Sequence, residues 1–110
     1  MSRDSLIRGT LGTLILKAVE RGPQHGYAIC FWIQHESGDV LRVEEGVLYP
    51  TLHKLEAGGL LSAEWGVNHT GRRAKFYSLT PAGEKRLRES TEQWARSARA
   101  VSTVFGVEAE

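Results

Sequence analysis

Residues 44–83, EEGVLYPTLHKLEAGGLLSAEWGVNHTGRRAKFYSLTPAG, constrain the fold of this chain more than any other stretch. Leu48, Leu52 and Leu55 recur at spacings of four and three, the stripe of one helix face. The helix is expected over Glu45 to Ala57, and Gly58-Gly59 ends it. Glu44 and Glu45 stand at its start, where negative charge complements the helix dipole. Pro50 removes one backbone bond in the second turn. Then Leu61, Ala63 and Trp65 alternate with Ser62 and Glu64, as a half-buried strand does. Ala74 to Leu79 reads as the returning strand, and Gly66 to Arg73 as the tip between them. The chain on either side reads as helix, so the expected class is mostly α with a small β-hairpin.

The first helix is expected to start at Asp4 or Ser5, either of which can cap it. Its stripe is Ile7, Leu11, Leu14, Ile15, Ala18 and Val19; Leu6 and Leu16 fall off it, which implies a second covered face. Gly22-Pro23 follows as a stop. A second helix is expected from Gly26 to Ser37, apolar nearly all round through Tyr27, Ile29, Cys30, Phe31, Trp32 and Ile33. Val40 to Val43 reads as a very short strand. Thr80-Pro81 opens a last helix, with Thr80 as cap and Pro81 at its first position. In it Leu87, Thr91, Trp94, Ala98, Val101 and Phe105 recur at spacings 4, 3, 4, 3, 4. That heptad seam needs something to pack against, and a second copy of the chain is the cheapest answer.

A chain of 110 residues argues for one domain with a modest core. The net charge is +1, so bulk charge does not announce a nucleic-acid partner and local clustering must carry that case. The one cysteine, Cys30, excludes an internal disulfide and fits a reducing cytosol. It reads as a buried apolar residue, with redox sensing as the alternative. No run is long enough for a membrane span. The segment MSRDSLIRG lacks a secretory pattern, so a cytoplasmic protein without membrane contact is expected. The four histidines, His25, His35, His53 and His69, lie on different elements. There is no HExxH, P-loop, GxGxxG or GxSxG, so neither an enzyme nor a cofactor nor a metal is expected.

Helix–helix–helix–hairpin–helix is the order of a winged helix-turn-helix domain, expected over residues 1–80, with an appended helix over 81–110, the whole forming one compact unit. The segments His25-Gly26-Tyr27, Gly46-Val47-Leu48-Tyr49-Pro50, Leu55-Glu56-Ala57-Gly58-Gly59-Leu60 and Tyr77-Ser78-Leu79-Thr80-Pro81-Ala82-Gly83 resemble the PadR family of bacterial transcriptional regulators. The likeness covers about residues 6 to 105, and its final helix resembles that of the short subgroup with a single C-terminal dimerisation helix. The resemblance implies a homodimeric DNA-binding regulator, usually a repressor released by a small molecule. One departure is visible: Glu44-Glu45 stands where the family often has Ser or Thr as helix cap.

A short helix beside a basic β-loop suits a DNA groove. On the helix, Tyr49, Thr51, His53 and Lys54 are free to face a pseudo-palindromic operator in double-stranded DNA; a merely solvated face is the alternative. In the tip, Arg72, Arg73 and Lys75 lie in a stretch with no Asp or Glu between Glu64 and Glu84. They suit phosphate or minor-groove contact, with hydrogen bonds from Asn68, His69 and Thr70; a basic loop that binds nothing is the alternative. In some short members of the family that the chain resembles, aromatic residues at the dimer interface line a pocket for flat aromatic compounds. That makes Trp94 on the seam and Trp32 on the second helix the candidates for a small aromatic effector; simple interface packing, the commoner fate of a tryptophan on a seam, is the alternative. A winged-helix module that binds protein instead of DNA is the rival from another class.

Overall fold

The computed structural model describes residues 3–107 and the side chains of residues 9–107. The elements run α1 (Arg3–Ala18), β1 (Gln24–His25), α2 (Gly26–Glu36), α3 (Glu45–Ala57), β2 (Leu61–Val67), β3 (Arg73–Leu79) and α4 (Pro81–Phe105). The strands form one antiparallel sheet in the order β1-β3-β2. Four helices and a small sheet make the winged helix expected from the sequence.

The core draws on every layer. Leu11, Ile15, Leu16 and Val19 from the first helix and the turn after it meet Ile29 and Ile33 of α2, Leu48 and Leu52 of α3, Leu61 and Tyr77 of the sheet, and Leu87 of α4. Burial of the off-stripe Leu16 shows why α1 carries two apolar faces: it packs against α2, α3 and α4 at once. The helix already runs at Arg3, so neither Asp4 nor Ser5 stands outside it as a cap. The side chains of Leu6 and Ile7 lie outside the described residues.

Helix α3 has the bounds read from its apolar stripe. Its carboxyl end closes as a Schellman turn: the Gly59 N–H donates to the Glu56 carbonyl and the Leu60 N–H to the Leu55 carbonyl, both at 3.0 Å. Gly59 takes φ +78°, the left-handed region that favours glycine. At the other end Glu44 offers no side-chain cap, and its backbone carbonyl alone receives Val47 and Leu48. At α4 the cap is as expected, with Thr80 Oγ1 accepting from Gly83 N at 3.0 Å.

Three expectations fail for identifiable reasons. Val40 to Val43 is not a strand; the third place in the sheet goes to β1, which pairs Gln24 with Tyr77 and His25 with Phe76. The 40–43 segment is instead held by Ser37 Oγ, which accepts from the Leu41 N–H. The hairpin tip is shorter than expected, because pairing continues outward to Val67 and Arg73. Trp65 shares a strand face with buried Leu61 yet is 60% exposed. Only the Leu61 and Ala63 end of that face packs against the core.

Two glycines explain why the matching sequence segments come as they do. A Cβ at Gly26 would fall 2.6 Å from Tyr49 Oη, so α2 starts directly beneath the Tyr49 ring. A Cβ at Gly83 would overlap the Leu60 carbonyl oxygen and crowd Leu79 Cδ1. Thr80 ties the same junction, donating from Oγ1 to the Gly59 carbonyl at 2.7 Å and from N to the Leu60 carbonyl at 3.2 Å. The four segments are therefore two contacts, each needing a residue without a side chain at its centre.

Candidate nucleic-acid interface

With Leu48 and Leu52 buried, the opposite side of α3 presents Tyr49, His53 and Lys54 to solvent. Thr51 is half-buried, and its hydroxyl donates to the Val47 carbonyl at 2.9 Å. That bond occupies its proton and leaves it the least available of the four. Burial raises the Tyr49 phenol above its ordinary value, and the charge of Glu45 adds to the rise. The group stays a neutral hydrogen-bond donor at neutral pH.

The hairpin beyond α3 is built around one side chain. Asn68 Oδ1 accepts from the Thr70 N–H, the Thr70 hydroxyl and the Arg72 N–H, at 3.0, 2.7 and 3.0 Å. The Asn68 N–H closes the turn onto the Arg72 carbonyl at 2.8 Å, and Gly71 supplies a φ of +83°. Asn68 and Thr70 thus shape the tip. His69 extends from it toward the start of α2, stacked on His25 with ring centroids 6.5 Å apart. His25 in turn caps α2, its Nδ1 accepting from Ala28 N, and meets Phe76 edge-on. The tip is thereby tied to the amino end of α2.

The three basic residues have different surroundings. Arg72 is exposed. Arg73, also exposed, lies over the Trp65 ring with its Cζ 4.4 Å from the centroid. Lys75 turns back toward α3, where its Nζ meets Glu56 Oε1 at 3.0 Å. The hydrogen bond that Lys75 donates to Glu56 raises its ammonium above the usual lysine value. The expected cluster of three free cations is in fact two free and one paired. Trp65, which reading by alternation placed inward, is part of this surface; its neighbour two residues along the opposite strand was the missing signal.

Along α4 only Leu87 of the seam is buried; Ala98 is half-buried, while Thr91, Trp94, Val101 and Phe105 are exposed, Phe105 by 75%. A groove of about 690 Å³ runs between α1 and α4, with Leu14 and Lys17 on one wall, Thr91 and Trp94 on the other, and Leu41 at the edge. Trp32 is not on its walls; it packs against the core with Arg21 over its ring at 5.3 Å. The two tryptophans are not brought into one cavity within a single chain. Burial raises the Cys30 thiol, which disfavours a reactive thiolate. Among the described residues no helix is long and apolar enough to cross a membrane.

The arrangement has close counterparts. It superposes with a TM-score of 0.81 on a transcriptional regulator from Clostridium thermocellum, 27% identical, over 90% of this chain and 96% of that one. A PadR family transcriptional regulator from Eggerthella lenta gives 0.77 at 33% identity, over 94% and 88%. In sequence, a transcriptional regulator of Mycobacterium tuberculosis is 45% identical over 71 residues, 64% of this chain and 65% of its own length. Residues 15–89 match the PadR-like transcriptional regulator family. The chain belongs to the PadR-like family of transcriptional regulators.

Proposed function

We propose that this regulator is a homodimeric, sequence-specific DNA-binding repressor in the cytoplasm. The observation that carries the reading is the pairing of α3, with Tyr49, His53 and Lys54 exposed, and a wing tip without Asp or Glu whose Arg72 and Arg73 are outside both ion pairs among the described residues. The helix enters the major groove and the wing touches the flanking backbone. Lys54, Arg72 and Arg73 are the phosphate-contacting cations. The exposed seam of α4 supports association with a second copy, which sets two recognition helices about one turn of DNA apart. A small aromatic compound in the groove beside Trp94 is the effector, and it shifts the dimer between two spacings.

The test uses duplexes from the DNA flanking the gene, in anisotropy titrations across a salt series. Three phosphates per chain give a log–log slope of about −5, from roughly 0.9 per phosphate. A slope near zero, or equal affinity for flanking and scrambled DNA, would remove the reading. For the dimer, Trp94→Glu with Val101→Glu should sediment as a monomer, and a persistent dimer would refute the seam.

A further inference from the structure

Resting on that reading, we propose that Trp65 is a positioning residue for DNA binding, whose indole holds the Arg73 guanidinium ready for a backbone phosphate. Trp65 pairs in register with Lys75, and Val67 with Arg73, so alternation sets Trp65, Val67, Arg73 and Lys75 on one face of the hairpin. At that end of the face the indole is 60% exposed and is not part of the core cluster. A tryptophan this open gains little from burial. What it does have is a cation 4.4 Å from its ring centroid.

Guanidinium chemistry makes such a partner useful. Its N–H donors all lie in the plane of the group, so a ring against the flat side leaves them free for phosphate oxygens. A carboxylate would consume them. The contrast stands two residues along the same strand, where Lys75 points at Glu56. The two basic side chains share a face, but one meets a carboxylate and the other lies over an uncharged ring that takes none of its charge. Holding the long arginine side chain before binding removes part of the ordering cost on contact.

The experiment is a double-mutant cycle with a mixed-sequence 30-base-pair duplex as probe, using Trp65→Leu, Arg73→Ala and the double variant, each checked for folding by circular dichroism. Leucine keeps apolar bulk and removes the π-face. Trp65→Leu should weaken binding about two- to five-fold per wing, the part of the arginine's ordering cost that the indole removes in advance. In the Arg73→Ala background the same change should have no further effect. Trp65→Phe should recover most of the affinity, and it serves as the folded control if the leucine variant is unstable. Equal losses in both backgrounds, or wild-type affinity in Trp65→Leu, would overturn the proposal while leaving DNA binding intact. Absence of salt-dependent binding by the unaltered protein would instead bring down the DNA reading itself, and this inference with it.

Discussion

Gly83→Ala separates two physical effects of opposite sign. Gly83 is the third residue of α4, and alanine is favoured over glycine in helices by about 1 kcal/mol, so propensity alone forecasts a more stable protein. The fold forecasts the reverse. The added methyl would overlap the Leu60 backbone carbonyl, which cannot swing aside as a side-chain tip does. The start of α4 must then lift off the α3–β2 junction, with an overpacking cost of about 2 kcal/mol. Lifting also strains the two Thr80 bonds to the Gly59 and Leu60 carbonyls, about 1 kcal/mol each. Net of propensity, the variant should lose about 3 kcal/mol. With a urea m-value of about 2 kcal/mol/M, its unfolding midpoint should fall by about 1.5 M at fixed protomer concentration. A midpoint equal to or above the unaltered protein's would show that the junction relaxes freely and that the contact does not explain the glycine.

Three further outcomes follow from the same geometry. Gly26→Ala directs its methyl at the Tyr49 hydroxyl and the adjoining ring edge, so it should cost about 1–2 kcal/mol in a thermal melt and weaken DNA binding as much as Tyr49→Ala does; unchanged affinity alongside an impaired Tyr49→Ala would contradict it. Lys75→Ala should leave the salt slope almost unaltered, because Glu56 already neutralises the ammonium, whereas Arg72→Ala should reduce it by about one per wing; equal slopes for the two variants would show that the ion pair opens on binding. Asn68→Ala removes the acceptor shared by Thr70 and Arg72, and amide exchange at both residues should accelerate; wild-type protection there would mean the turn holds without it.

The helices were legible because their signals are local. The leucine stripe with Gly58-Gly59 bounds α3, and Thr80-Pro81 marks the start of α4, in each case through backbone chemistry within a few residues. What escaped was set by distant partners. Gln24 and His25 carry no strand pattern; they become β1 because β3 has a free edge and the chain entering α2 passes along it. Alternation correctly put Trp65 on the face of Leu61, but burial depends on what covers that face, and packing against the core stops at Ala63. In the same way Arg72, Arg73 and Lys75 read as one charge cluster. Only the docking of α3 brings Glu56 to Lys75 and divides the cluster.

The position of α1 bears on how an occupant of the groove beside Trp94 would reach α3. One side of this helix approaches α3, close enough that a Cβ at Gly12 would sit 3.8 Å from Leu55 Cδ2. Another side, through Thr13, Leu14 and Lys17, forms a wall of the groove facing Trp94. In the proposed reading, an occupant of that groove would press on the helix that packs against α3, with no intervening loop to absorb the movement. Tight cores shift between discrete packings more readily than they deform. If such an occupant weakens DNA binding by some factor, DNA must weaken its binding by the same factor. The effect is thus measurable from the groove side, by Trp94 fluorescence titration with and without duplex, where identical affinities would leave α1 as a structural hub alone.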